Sequence, residues 1–412
     1  METHASGFRL RANVPEGQKR FPISDAKSLP FDSAKLDALL DDAGIDALVV
    51  TSKHNIQYLL GGYRFFFFDQ MDAIGISRYL PILIYQKGRP GDSVYVANKM
   101  ESYEQELGKF WMPNVVNATW GTVDAAKIAV GHLKKLGNTV RRIGVETSFI
   151  PADAYAALHE GLPDVEMVDA LFPLERLRAR KSAAELDYLR IASERVIDSM
   201  MAVFASAQPG KTKKELADQL RQEEISRDLN FDYCLITAGT SLNRAPSDQV
   251  LKSGDVFSLD SGGNYKGYIG DLCRRGILGE PDAERRDLLA AIDEVQQAAR
   301  KPIKPGGTGN EIYAVAEKVW QASPHRAAIV DFTAHGMGIV AHEAPRLSDK
   351  ASQKYPGYDA DRPLEQGMVI SIETTMNHLT RGFIKLEDTV AVTNDGWQAF
   401  GDGGRGWNRG KA

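Results

Sequence analysis

Two stretches decide the fold: GDVFSLDSGGNYKGYIGDLCRR (254–275) and GMVISIETTMNHLTRGFIKLEDTVAVTNDG (367–396). In the first, two apolar runs flank the loop SGGNYKG, which predicts a β-hairpin. A hairpin centred on Tyr265 and Lys266 sets Asp260 directly opposite Asp271. Opposed residues on one face have Cβ atoms about 4.5–5.5 Å apart. Two carboxylates that close repel, and near a core they are costly unless a cation lies between them. Taken alone, the pair also fits a solvated hairpin end.

The second stretch repeats the device. Ile370 and Ile372 point one way, Ser371 and Glu373 the other. Across the loop, Ile384 and Leu386 alternate with Lys385 and Glu387. A period of two places Glu373 and Glu387 on the polar faces of adjacent strands. Between the two hairpins lies IVDFTAHGMGIVAHEAPR (329–346), which holds His335 and His342, two of only eight histidines. Two independent acidic hairpins in apolar strands, with histidines between them, are hard to explain as solvated loops. The oxygen and nitrogen donors of Asp260, Asp271, His335, Glu373 and Glu387, without thiolate, suit a pair of hard or borderline divalent ions. Manganese is expected, with zinc or cobalt as alternatives. Two such ions about 3.5–4 Å apart polarise a carbonyl and activate water.

The rest of the composition narrows the class. At roughly 100–200 residues per domain, a chain of 412 residues suggests two or three domains. Apolar residues make up 43% and charged residues 25%, ordinary for a globular protein. The formal net charge of -5 gives no electrostatic case for nucleic-acid binding. Cys234 and Cys273, the only two cysteines, cannot build a disulfide framework or a cysteine zinc site. They read as reduced core residues. The start METHASGFRLRANVPEGQKR (1–20) lacks the apolar core of a signal peptide. No apolar run approaches the roughly 20 residues that cross a membrane. A cytoplasmic protein without membrane partners is expected.

Residues 1–30 are polar and read as an irregular arm. Strands and helices then alternate from 33 to 169, arguing for a mixed α/β N-terminal domain. A boundary falls in 170–181. Beyond it, Ser182 with Glu185, and Thr212 with Glu215, form capping boxes that open two helices. Strands follow over 232–275, helices over 282–300 and from Thr308, then strands and loops over 326–400. Helices and strands in separate runs are an α+β signature. The tail GDGGRGWNRGKA (401–412) reads as flexible. Four consecutive phenylalanines, Phe65 to Phe68, cannot all face one core from a single strand. They are expected to pack in a core or an interface, with a substrate pocket across a dimer interface as the alternative.

The order of these motifs resembles the pita-bread metallopeptidases: Asp260, eleven residues on Asp271, then HGMG with HE, then IE, then LED. That family includes methionine aminopeptidase, aminopeptidase P, prolidase and the metal-free creatinase. HNIQYLLGG (54–62) resembles the creatinase-type N-terminal domain of the prolidase branch, and LERLRARKSAAELDYLR resembles its helix entry. The resemblance implies a creatinase-like domain over 1–172 and an α+β pita-bread catalytic domain over 180–412. It implies that Asp260 and Glu387 touch or bridge two metal ions, that Asp271 is the bidentate ligand of one site, and that His335 is the single histidine ligand. Glu373 would be both ligand and general acid/base, and His342 would steady a tetrahedral intermediate. The implied activity is hydrolysis of a small amide or peptide, foremost an Xaa-Pro bond, by a homodimer. Asn243, Lys385 and His54 are the expected substrate contacts.

Three positions depart from the peptidases. Asn243 stands 17 residues before Asp260, where they carry a histidine, and no proline follows Glu373 in IETTM. Lys385 stands where the aminopeptidase P branch commonly has arginine. The second reading is therefore a non-peptidase enzyme on the same fold, such as a creatinase-like or ectoine-hydrolase-like amidohydrolase or a dimethylsulfoniopropionate lyase-like enzyme. That lyase branch carries an aspartate at the position of Gly262, which this chain lacks.

Overall fold

The computed structural model describes residues 29–70, 75–350 and 355–412. Most of the expected N-terminal arm lies outside them. The first unit contains α1 (Ser33–Ala43), β1 (Ala47–Val50), α2 (Lys53–Leu59), β2 (Ile82–Gln86), β3 (Val94–Asn98), α3 (Ser102–Glu106) and β4 (Asn114–Thr119). It continues with α4 (Thr122–Lys135), β5 (Arg142–Val145), α5 (Ala152–Gly161), β6 (Glu166–Asp169) and α6 (Leu171–Leu177). The six strands form one mixed sheet in the order β4-β3-β2-β1-β5-β6. The central strand β1, sequence ALVV, is buried on both faces. Val49, Ile82 and Ile143 pack under α4 and α5, while Leu48, Leu83 and Tyr85 pack under α1 and α6. A strand covered on both sides needs a continuous apolar run, which is what its sequence supplies.

The second unit holds α7 (Ala183–Ser206), α8 (Lys213–Ser226), β7 (Asn230–Ala238), β8 (Val256–Tyr265) and β9 (Tyr268–Leu278). It goes on with α9 (Ala283–Arg300), α10 (Gly309–Ala322), β10 (Ile329–Gly336), β11 (Val369–His378), β12 (Gly382–Val392), β13 (Trp397–Phe400) and β14 (Trp407–Gly410). Both expected capping boxes form, on Ser182 with Glu185 and on Thr212 with Glu215. The large sheet runs β10-β11-β12-β9-β8-β7, with β13 beside β12 and β14 beside β9. One face carries Ile236, Leu259, Leu272, Ile372, Ile384 and Leu386, buried under the four helices. The alternate residues of the same strands face the other way, and they include Asp260, Asp271, Glu373 and Glu387.

Two expectations needed correction. The first hairpin turns one residue further along than a centre at Tyr265 and Lys266, so each residue's partner shifts by two. Tyr265 pairs with Tyr268, leaving the two-residue turn Lys266-Gly267. Their φ angles are 52° and 93°. A two-residue hairpin turn of this hand needs positive φ at both positions, so it forms where glycine takes the second one. Asp260 therefore faces Cys273, and Asp271 faces Gly262. A slip of two keeps both carboxylates on their original face. Second, the 401–412 tail is ordered: β14 pairs parallel to β9, from Trp407 opposite Arg275 to Gly410 opposite Leu278. The 170–181 segment between the two units includes the helix α6.

The Phe65–Phe68 run packs as the simpler reading expects. Phe66–Gln70 forms a 3₁₀ turn, which buries Phe65 and Phe68 and leaves Phe66 exposed. No helix among the described residues is long and apolar enough to cross a membrane.

Candidate metal centre

Strand register alone gathers the donors. Glu373 on β11 pairs with Glu387 on β12, Glu387 with Cys273 on β9, and Cys273 with Asp260 on β8. These four residues form one row across the sheet on one face. Two residues along from that row, on the same face, come Asp271 on β9, Ser371 on β11 and His335, which pairs with Ser371 from β10. Two residues along in the opposite direction comes Lys385 on β12. All five expected metal ligands thus share one face, and all five are buried.

The side chains close around this ladder. Asp271, His335 and Glu387 each offer one ligand atom, and these atoms lie within 4.8 Å of one another. His335 Nε2 is buried without a hydrogen-bond partner among the described residues. It stands 3.8 Å from Glu387 Oε1 and 4.0 Å from Glu373 Oε1, beyond hydrogen-bond reach. A buried imidazole nitrogen is costly when unpaired. An unpaired nitrogen aimed at two carboxylates is suited to a divalent cation, so the residues present fit such an ion. Glu387 Oε1 also accepts a hydrogen bond from Ser371 Oγ at 2.9 Å.

Lys385 lies inside the cluster. Its Nζ is 2.8 Å from Asp260 Oδ2, 2.5 Å from Glu373 Oε2 and 2.8 Å from Glu387 Oε2. Burial alone would lower the Lys385 ammonium, but the three carboxylates hold it well above the usual range. Burial likewise would raise Glu387, yet Lys385 and His335 bring it well below the carboxylate range. Asp271 is pushed well up by burial and by the charges of Glu387 and Asp260. Burial also raises Glu373, against the opposing pull of Lys385. Two raised carboxylates mark a site with an excess of negative charge, which a bound cation would offset.

His342 follows β10 and stacks on His335, with ring centroids 3.7 Å apart and planes 19° apart. Burial, then the neighbouring His335, pushes its pKa down to about 3. It is thus a neutral imidazole at neutral pH. The next residue, Glu343, is buried and paired with Arg178 at 2.8 Å and Lys181 at 3.0 Å. Arg178 also donates to Asn55 on α2, whose Nδ2 in turn donates to Glu146. This chain of polar contacts ties the His342 loop to the first unit.

The remaining expected residues fall in different places. His54 is half-buried on α2 against Phe149, with ring centroids 5.9 Å apart. Asn243 is exposed, and its Oδ1 accepts from Ala245 N at 2.8 Å within its own loop. Its neighbour Arg244 reaches the centre instead, donating to Asp260 Oδ2 and lying over the Phe383 ring. Arg244 was not legible as a site residue. Neither was Tyr233 on β7, whose hydroxyl bonds Asp271. Gly262 makes room for it: a Cβ there would lie 2.4 Å from the Tyr233 ring. The signal in both cases was position beside a ligand strand, which the sequence does not display.

Comparison with known proteins agrees with this architecture. The family model for metallopeptidase family M24 matches residues 187–394, and that for the creatinase/prolidase N-terminal domain matches 33–180. The chain is 25% identical to an Xaa-Pro dipeptidase of Lactobacillus delbrueckii subsp. lactis, covering 89% of this chain and 95% of that one. It is 28% identical to the probable dipeptidase PepE of Mycobacterium bovis, covering 92% and 95%. Among solved structures, an Xaa-Pro dipeptidase from Bacillus anthracis superposes with a TM-score of 0.76 at 21% identity, covering 92% of this chain and 98% of that one. The prolidase of Pyrococcus horikoshii gives 0.73 at 21% identity, covering 90% and 97%. The chain belongs to metallopeptidase family M24, as a metallohydrolase with a creatinase/prolidase-type N-terminal domain.

Proposed function

We propose that this metallohydrolase cleaves the amide bond of a small peptide, with an Xaa-Pro bond as the first substrate class to test. The observation that carries the reading is the buried face on which Asp271, His335 and Glu387 converge. Asp260 and Glu373, in the same row as Glu387, would serve a second cation position. Bound divalent ions, manganese by the hardness of the donors, would polarise the scissile carbonyl and make water a nucleophile near neutral pH.

The chain's own residues supply the rest. Glu373, with its raised pKa, takes a proton from the attacking water and returns it to the leaving nitrogen. His342, neutral at working pH, presents an N–H toward the oxygen on which negative charge develops. Asp271, His335 and Glu387 would hold a divalent ion. The division of labour follows the domain division, with a catalytic domain over 180–412 behind an N-terminal domain that ends near 172. We also propose a homodimer, supported by Phe66, 67% exposed beside the buried Phe65 and Phe68. A reduced, cytoplasmic setting agrees with two buried free thiols, Cys234 and Cys273.

A second reading has one specific observation behind it. Asn243 caps its own loop, and Arg244 brings a cation to Asp260. A guanidinium there suits a substrate with a carboxylate or another small anionic group, including non-peptide amides. Purified protein with added manganese should be assayed on Xaa-Pro dipeptides and tripeptides. Cyclic amides, amidines and sulfonium zwitterions belong in the same panel. Turnover confined to cyclic amides or amidines would sink the peptidase reading and leave the hydrolase, whereas turnover of sulfonium zwitterions alone would make the enzyme a lyase.

A further inference from the structure

The loop after β7 lies along the outer edge of that strand, which is the last of the large sheet. Ile236 N donates to Arg244 O at 2.7 Å, and the start of α8 holds the far end, with Lys213 N on Gln249 O and Lys214 N on Ser247 O, each at 3.0 Å. The side chain of Lys213 is buried against this loop and is 0% exposed. Its Nζ donates to Asn243 O at 2.6 Å and reaches Asn243 Oδ1 at 3.5 Å. No carboxylate accepts from it among the described residues. A buried ammonium that meets only neutral oxygens is unfavourable. Lys213 is also the first residue of α8, and the helix dipole disfavours a cation there. Stability alone does not explain the residue. What its ammonium fixes is the direction of Asn243.

The next residue points the other way. Arg244 donates to Asp260 Oδ2 and lies over Phe383, with Cζ 5.5 Å from the ring centroid. Its side chain is 38% exposed. A guanidinium carries five N–H donors, and Asp260 is its one hydrogen-bond partner among the described residues. The remaining donors are open to a molecule that enters from solvent. We propose that Lys213 is a positioning residue, which turns Asn243 inward and Arg244 outward, and that Arg244 thereby reads an anionic group of the substrate. In a short peptide that group is the terminal carboxylate. A guanidinium pairs with it through two parallel bonds, which a neutral amide end does not accept in the same way. The inference rests on the peptidase reading and deepens it. Discrimination is assigned to a loop residue beside Asp260, and its aim to a lysine that does not meet the substrate.

Alanyl-proline and its C-terminal amide test this on the full-length chain with added manganese, by initial rates and by calorimetric binding. The wild type should favour the acid by about 10–100-fold in KM, as expected for a charge-assisted pair. Arg244→Ala should erase the preference by raising KM for the acid more than for the amide. Lys213→Met should raise KM for the acid about tenfold in the same direction. The double variant should be no worse than Arg244→Ala, because both changes act through one guanidinium. A Lys213 that only supported the fold would slow both substrates alike, and its loss would add to that of Arg244→Ala. Should Lys213→Met not fold, by circular dichroism, Lys213→Gln takes its place. An acid preference that survives in Arg244→Ala or in a folded Lys213 variant, additive losses in the double variant, or two Lys213 variants that both fail to fold overturn the inference. Equal handling of acid and amide by the wild type overturns it alone. Binding and turnover of neither peptide overturns the peptidase reading with it.

Discussion

Glu387 and Asp388 are adjacent in β12 and serve opposite faces of the sheet. Glu387 joins the acidic row, accepting from Ser371 and Lys385. Asp388 points among arginines, with Arg274 at 3.0 Å, Arg300 at 3.1 Å and Arg405 closer still. Both carboxylates are buried and held below the ordinary range, Glu387 despite burial by Lys385 and His335, and Asp388 despite burial by its arginines. One dipeptide thus couples the chemistry to the frame that supports it.

The first prediction separates these roles. Glu387→Gln should abolish tight manganese binding and cut kcat/KM by about 10³ or more, with little loss of Tm, because it removes one of several crowded negative charges. Asp388→Asn should do the reverse. It leaves Arg274 buried without its counter-charge and Arg300 with Asp402 alone, at a cost of about 3–5 kcal/mol. Chemical denaturation and metal titration on both variants read the difference. A stable Asp388→Asn protein would refute the structural role.

Glu373 is expected to act in proton transfer more than in affinity. Glu373→Gln keeps the size and loses the proton-accepting oxygen, so kcat should fall by about 10²–10⁴. Manganese binding on Asp271, His335 and Glu387 should persist. Loss of that binding together with kcat would make Glu373 a ligand first and a base second.

Gly262 controls Tyr233. A methyl group there would lie 2.4 Å from the ring, inside any normal contact. Gly262→Ala should cost about 1–3 kcal/mol as the ring shifts. It should also free Asp271 from its hydroxyl partner and weaken metal binding severalfold. A Tyr233→Phe control separates the two effects, since it removes the hydroxyl without moving the ring.

The alternation of 370–373 and 384–387 made Glu373 and Glu387 readable as neighbours, because period-two patterning needs no knowledge of the turn. The 254–275 hairpin was harder. Its face was readable, but its register depended on which residue would take the positive φ of the turn, and Gly267 settled that locally. Lys385 could be placed on the face of Glu387 by parity. That its ammonium spans three strands follows from tertiary closure of β8 on β12, which no local pattern encodes. The same holds for Arg244, which belongs to a loop without periodicity. The tail misled for a related reason. Its glycines suggest flexibility, whereas its order comes from pairing with a strand far away in sequence.

His54 should make the protein acid-sensitive. Burial, with help from the Arg178 charge, pushes its pKa from 6.5 down to about 3. The unfolded chain takes up a proton below about pH 6.5, and the folded one resists until near pH 3. The contribution of neutral His54 is therefore full above the unfolded pKa and is lost as pH falls from 6.5 toward 3. His54→Gln cannot protonate. Between pH 7.5 and 5.0, the wild type should lose about 1–2 kcal/mol more than this variant. Equal losses in urea titrations at the two pH values would rule the effect out.

Arg405 tests whether the tail is a working part of the fold. It donates to Asp388 and to Asp293 on α9, and it lies two residues before β14. Burial would lower its pKa, but Asp388 and then Asp293 raise it, so the charge is fully retained. Arg405→Ala should destabilise by about 1–3 kcal/mol, less than Asp388→Asn, because Arg274 and Arg300 still face Asp388. Removing residues 401–412 should cost more, since β9 then loses the strand paired along Arg275 to Leu278. Because Asp388 adjoins Glu387, both changes should also loosen the tight manganese site severalfold, even though neither touches a ligand. A truncated chain with unchanged Tm and unchanged manganese affinity would show that the tail only lies along the sheet, without bracing it.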